Sequence, residues 1–442
     1  MLRVSISLPS GCGETLLLPE VSTVGDLKVL AQKSLGHGLL KLVTVKGHVL
    51  TNPTESLQAA GVQDGEQLMA VVQQGKVAAT KRHFAAWCYG GDRIVTWGRL
   101  GDNSLTNQGQ LRNVRQIHAT KSAFAAILAN GSIVAWGNPG YGGDCSAVQD
   151  QLSNVQQIQV THRAFAAILA DGSVVAWGHP KFGGDCSTVQ SQLRNVQQIQ
   201  GSAGAFAAIL PDRSVVAWGP PIFGGHLSKI QNQLIDVQQI HSAYFAFAAI
   251  LANGSVVTWG HHRWGGDSSA VQDQLRNVKK IQGNPGAFAA ILADGSIVAW
   301  GDPEKGGDCT AVQDQLNNVQ QIQFTDKAFA AVLADGSVVA WGGRDYGGDC
   351  SAVQDQLRNV QQIHATDSAF AAILADGSVV AWGDPKNGGD CFAVQDQLRT
   401  VQQIQGSSGA FAAILADGSI VSWGDPDKGG DCSAVCDQLQ YL

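Results

Sequence analysis

Over most of the chain, apolar and polar positions repeat one pattern. In the copy beginning at Val360, "VQQIHA" is apolar at Val360 and Ile363, a polar loop "TDS" follows, and "AFAAILA" is then apolar throughout. In an extended chain Phe370, Ala372 and Leu374 share one face and Ala371 and Ile373 the other, so this strand is expected to be buried on both sides. Asp376-Gly377 separates it from "SVVAWG". Asp-Gly between two apolar runs predicts a hairpin, because glycine takes positive φ without steric cost. A loop ending in "GGDC" comes next, then "FAVQDQL", where Val394 and Leu398 are four apart and Asp390 can cap one helical turn, with a short strand as the alternative.

The tryptophan of the "WG" pair falls at Trp97, Trp136, Trp177, Trp218, Trp259, Trp300, Trp341, Trp382 and Trp423, a step of 41 residues from Trp136 onward and 39 before it. The first copy is divergent and carries "YGGDR" in place of the "ADGS" turn. A single unit cannot bury both faces of its middle strand, whereas units stacked in a ring cover one another. The expectation is a mainly β protein, a β-propeller of about nine three-stranded 41-residue repeats. It is either a ring of nine or a ring with the divergent first unit outside. Arg213 replaces the hairpin glycine in "PDRS", and that turn is expected to differ from the others.

The first 74 residues carry no repeat. "LRVSISL" alternates, "PSGCGE" turns and "TLLL" returns, which predicts a hairpin. "STVGDLKVLAQKSLG" predicts a helix with a capping box of Thr23 and Asp26, Val24, Leu27, Leu30 and Ala31 along one side, and Gly36 at its end. "LLKLVTVKGHVL" and "EQLMAVV" read as further strands. The chain thus divides into a small α+β domain, 1–74, and a repeat domain, 75–442, expected to fold independently.

"GSVVAWG" with an upstream "V-x-x-I" and a downstream "G-G-D" resembles the repeat of the regulator-of-chromosome-condensation family. The 41-residue, three-stranded form is most similar to that family's superfamily relative, the bacterial β-lactamase inhibitory protein of the propeller type. The order ββ-α-β-β with "KGHVL" and "VQDGEQLMAV" resembles a ubiquitin-like (β-grasp) domain. The position of ubiquitin's recognition isoleucine is Thr44 here, flanked by Val43 and Val45, and the chain runs "VVQQGKVAAT" into the repeats rather than ending in Gly-Gly. The resemblances imply a non-catalytic protein-protein interaction adaptor, with ubiquitin-pathway components among its partners. They also imply two alternatives: a guanine-nucleotide exchange factor for a small GTPase, or the substrate-binding component of a ubiquitin ligase. The ligases of this family carry a catalytic domain beyond the repeats, which "CDQLQYL" at residues 436–442 does not resemble.

Composition narrows the chemistry. The formal charge is −7 and no long basic block offsets it, so no nucleic-acid partner is expected. No apolar run has the length of a membrane span and "MLRVSISLPSG" lacks a signal-peptide pattern, so the expected location is intracellular, cytoplasmic or nuclear. Cys145, Cys186, Cys309, Cys350, Cys391 and Cys432 share one repeat position, where two other copies have Leu227 and Ser268. That exchange marks a packing residue rather than a ligand or bridge. No catalytic constellation stands out. The pair His261-His262 is weak evidence for a metal, "GGD" reads as a turn and cap, and Asn130 and Asn253 of "NGS" take the hairpin-turn position of Asp. The chain is expected not to be an enzyme and to need no cofactor or metal.

What varies among the copies is the loop after "WG", whose fourth position holds Tyr141, Phe182, Phe223, Trp264, Lys305, Tyr346, Asn387 and Lys428. In a ring these loops share one rim. Tyr141, Phe182, Phe223, Arg263, Trp264, Arg344 and Tyr346 are therefore the candidate partner-binding residues, with Lys181 beside them, since aromatics and arginine dominate interface hot spots. The competing reading is that these rings fold back onto their own loops as anchors. A second variable loop precedes "AFAAIL", and there Tyr244 and Phe324 would widen the surface.

Overall fold

The computed structural model describes residues 1–35, 39–73, 75–88, 94–98, 110–435 and 439. Gly36, the "YGGDR" turn and most of the C-terminal "CDQLQYL" lie outside the described residues.

The N-terminal segment forms β1 (Leu2–Ser7), β2 (Gly13–Leu18), α1 (Val24–Leu35), β3 (Leu40–Thr44), β4 (Val49–Leu50) and β5 (Glu66–Val72). They make one five-stranded sheet in the order β2-β1-β5-β3-β4, in which β1 and β5 run parallel and the other pairs antiparallel. The backbone N–H of Thr23 donates to Asp26 Oδ2 at 2.8 Å and the N–H of Asp26 to Thr23 Oγ1 at 3.2 Å, so the capping box forms and starts α1. Val24, Leu27 and Ala31 are buried against Val4, Ile6, Leu42 and Leu68. Leu30 is 36% exposed, because at 100° per residue it falls at the edge of the stripe those three define.

Nine three-stranded antiparallel sheets occupy the rest of the described residues, numbered here first to ninth: 75–98, 114–137, 155–178, 198–218, 237–260, 278–301, 319–342, 360–383 and 401–424. The third shows how the sequence builds them. Ala164–Leu169 is the middle strand, with five of its six residues buried. Phe165 stands opposite Trp177 on the third strand and the rings stack at 5.0 Å. Trp177 Nε1 donates to the carbonyl of Gly142, in the loop leaving the second sheet. A side chain on Gly142 would lie 2.6 Å from the Phe165 ring, so only glycine lets that loop close over it. Tryptophan, phenylalanine and glycine thus staple each of the third to ninth sheets to the one before.

Below, Ser173 donates its N–H and hydroxyl to Asp171 Oδ1 and shapes the hairpin. The "GGDC" segment behaves as a cap. Asp185 Oδ1 accepts from the Ser187 N–H as a 3-10 turn begins, and the buried thiol of Cys186 faces Gln190 Oε1. In the fifth repeat the Ser268 hydroxyl makes the same bond to Gln272. The turn at Arg213 does not differ as expected. Its N–H still donates to Leu210 O and its carbonyl still accepts from Val237, with arginine itself held at φ +64°. The two flanking bonds fix the turn, so the residue bears the strain.

The chain is therefore a mainly β protein of repeated three-stranded sheets packed face to face, as in propellers. The staple recurs between the ends of the series. Trp97 Nε1 donates to Gly429 O at 3.1 Å, and Phe84 lies beneath Gly429. Val77, Phe84, Val95 and Trp97 share one core with Ala410, Ala412 and Ile414, and Leu39 of the N-terminal segment joins it.

Candidate functional site

Three antiparallel strands place the first connection and the exit loop of each sheet at one end, opposite the hairpin. In the second to ninth repeats both variable loops therefore share a face. Within a repeat, the last residue of the inner loop lies against the outer-loop residue nineteen positions later. Phe245 packs on Trp264 with centroids 4.3 Å apart, Arg163 lies 4.9 Å from the Phe182 centroid, and Lys327 4.7 Å from that of Tyr346. Where the inner residue is Gly204, Gly286 or Gly409, the side chain of Phe223, Lys305 or Lys428 fills the vacated space. This alternation of large against small is visible in the sequence, and it is the signal that would have joined Arg163 and Phe245 to the candidates.

Contacts between sheets extend these pairs into a ladder. Arg163 also covers Tyr141 at 4.7 Å. Phe182 meets Phe223 at 5.7 Å, Phe223 stacks on Phe245 at 5.3 Å, and Lys305 caps Trp264 at 5.2 Å. Tyr141, Phe182, Phe223 and Trp264 are thus brought together across the second to fifth sheets, each half-buried. Tyr346 in the seventh sheet stands apart with Lys327, and Arg344 pairs with Asp349 of its own loop at 3.1 Å. Arg263 is exposed beside Trp264.

Inside the ladder, the inner loops bond to one another around a central mouth. Lys81 N–H donates to Lys121 O, Lys121 to His162, His162 to Ala203 and Ala203 to Tyr244. On the far side Asp326 donates to Asp367, Asp367 to Ser408, and Ser408 back to Lys81. The residue in the intervening sixth sheet is Pro285, which has no N–H to give. Over the mouth Lys81 pairs with Asp367 at 3.2 Å and the Tyr244 hydroxyl donates to Asp326 at 3.4 Å. His162 meets the Tyr244 ring edge-on at 4.5 Å. Burial and the neighbouring Asp367 push the Asp326 carboxyl up to about 6, and burial with Lys81 close by brings the Lys121 ammonium down to about 8. A cavity of about 480 Å³ opens here, lined by the mouth residues and by Phe324, Gln323 and His364. Phe324 lies on the cavity wall and near the core Phe329, not with the outer aromatics.

Inner strands of the second, fifth and eighth sheets carry His118, His241 and His364, each bonded to the Gln two residues before it. Among the described residues no three His, Cys, Asp or Glu side chains converge to hold a metal ion. No described helix is long and apolar enough to cross a membrane.

Fold and face define a class: a repeat protein of stacked three-stranded sheets with its variable residues gathered on one face. No protein-family model matches the chain, and no curated protein does. Among solved structures it is similar to Prp20p from Saccharomyces cerevisiae, studied for its binding to Gsp1p and histones. That likeness has 14% identity, covers 62% of this chain and 83% of that one, and has a TM-score of 0.37. Human WBSCR16 is similar at 13% identity over 63% of this chain and 79% of that one, with a TM-score of 0.34. The N-terminal ubiquitin-like domain of the 4931431F19Rik protein is similar at 26% identity over 18% of this chain and 81% of that one, with a TM-score of 0.16.

Proposed function

We propose that the chain is a non-catalytic, intracellular scaffold: a closed ring of nine blades, 75–442, that grips a protein partner on the face bearing the aromatic ladder. The observation that carries this reading is the ladder itself. Tyr141, Phe182, Phe223 and Trp264 stand where other repeats hold lysine or asparagine, and with Phe245, Arg163 and Lys305 they form one run of contacts across neighbouring sheets. A position that accepts Lys305 and Asn387 is not dictated by the repeat fold, and half-exposed aromatics favour protein contact. Closure in nine is supported by the Trp97–Gly429 staple and the Ser408–Lys81 bond.

Residues 1–74 are read as a ubiquitin-like module, supported by the sheet order and by α1 packing its apolar side against the sheet. Met69 and Val71 lie on the strand paired with β3 and are 49% and 37% exposed, while Val45 is 71% exposed. These apolar side chains suit a link to ubiquitin-pathway proteins.

A photo-cross-linker at Ile222, which is 51% exposed beside Phe223, tests the main reading in cell extract. Cross-linking to a dominant partner is expected, and its loss in F223K/W264K/Y346K, since lysine is native to this position in two repeats. Unchanged cross-linking in the triple variant refutes it. Release of labelled GDP from a panel of small GTPases, catalysed by the purified chain, would favour exchange activity instead.

A further inference from the structure

The face is divided by charge. In the second to fifth repeats the outer loops 138–141, 179–182, 220–223 and 261–264 and the inner loops 120–122, 161–163, 202–204 and 243–245 contain no aspartate or glutamate. They hold Lys121, Arg163, Lys181 and Arg263, with His162, His179, His261 and His262. The matching loops of the sixth to ninth repeats hold Asp302, Glu304, Asp326, Asp345, Asp367, Asp384, Asp425 and Asp427 against five Lys and Arg. A chain with a net charge of −7 thus carries an acid-free sector, and the aromatic ladder lies in that sector. The capping aspartates Asp144, Asp185 and Asp267 come farther along these repeats, each accepting the N–H of the serine two residues on, and the fourth repeat replaces its own with His226.

Among the described residues Lys121, Arg163, Lys181 and Arg263 make no ion pair, whereas Arg344 and Lys428 of the other half pair with Asp349 and Asp425. Lys121 lies 5.6 Å from the Tyr244 ring; burial, Lys81 and Arg163 depress its pKa, and Asp367 and Asp326 across the mouth offset part of that. Lys181, Arg263 and Ile222 are exposed around the half-buried rings.

We propose that the second-to-fifth-repeat sector docks an acidic polypeptide segment, its apolar side chains along Phe182, Phe223, Ile222 and Trp264 and its carboxylates facing Lys181, Arg263 and Lys121. This rests on the partner-binding reading and names the partner's chemistry. Charge complementarity selects the acidic partner and repels the basic one. Single-stranded nucleic acid is disfavoured, because base stacking needs free ring faces, whereas Phe223 is stacked on Phe245 and Trp264 on His261.

The test is fluorescence polarisation with the full chain and short labelled peptides alternating Leu or Phe with Glu, with Gln or with Lys, and with labelled oligouridine. The acidic peptide should bind, more weakly as salt rises, and K181E/R263E should weaken it about tenfold or more. K386E, an exposed lysine of the eighth repeat, should not. Equal binding of the acidic, neutral and basic peptides, no binding of the acidic one, insensitivity to K181E/R263E, or tighter binding of oligouridine overturns the proposal. If K181E/R263E leaves intact a partner cross-link at Ile222 that F223K/W264K/Y346K abolishes, the face binds protein and only the acidic assignment fails.

Discussion

Replacing Trp97 tests ring closure. Trp97 is 4% exposed, stacks on Phe84 at 5.2 Å and donates to Gly429 O of the last repeat at 3.1 Å. Trp382, inside the series, has the same 4% exposure, a stack on Phe370 at 5.1 Å and a 3.0 Å bond to Gly347 O. Trp382→Ala should cost about 3–5 kcal/mol, the range for emptying a large buried aromatic site. Trp382→Phe keeps the stack, strands the Gly347 carbonyl and should cost about 1–3 kcal/mol. If the first and ninth sheets close the ring, Trp97→Ala and Trp97→Phe must fall in the same two ranges. In an open array Trp97 would pack on an end sheet with no partner loop, and both changes would cost under about 1 kcal/mol. Equilibrium urea unfolding by far-ultraviolet circular dichroism reads all four variants, with the slope checked for loss of two-state behaviour. An unmoved midpoint and slope for both Trp97 variants, beside a destabilised Trp382→Ala, refutes nine-blade closure.

Three further outcomes are expected. Burial holds His118, His241 and His364 down to about 4 from the ordinary 6.5, so the unfolded chain binds protons first and stability falls as pH drops from about 6.5 to 4. H118Q/H241Q/H364Q, which installs the residue other repeats use, should flatten that slope in urea midpoints taken across the window; a parallel slope contradicts it. Arg213 and Thr400 sit at φ +64° and +61°, where other repeats have glycine and mostly asparagine, so R213G and T400N should each raise the thermal midpoint, by up to about 1 kcal/mol in stability. Residues 1–74 expressed alone should give a dispersed NMR spectrum, with Leu39, which reaches the core of the first and ninth sheets, newly exposed; an unfolded spectrum removes the domain boundary.

Much of the architecture is written in local sequence. The unbroken apolar middle strand, Asp-Gly and the 41-residue step specify three-stranded units with two covered faces, and Thr23 with Asp26 specifies the start of α1. These features act over a few residues or repeat at a fixed interval, so periodicity exposes them. The grouping of Tyr141, Phe182, Phe223 and Trp264 on one rim also follows from register alone. Tertiary structure decided the rest. Whether Trp97 meets Gly429 depends on the angle between successive sheets, summed around the molecule, and no single repeat encodes that sum. Tyr244 reaches Asp326 from two sheets away, and Arg163 finds Tyr141 in the preceding repeat, because stacking converts a step of 41 in sequence into contact in space. Arg213 shows the converse limit: the sequence forbids glycine's freedom there, yet hydrogen bonds on both sides impose glycine's conformation.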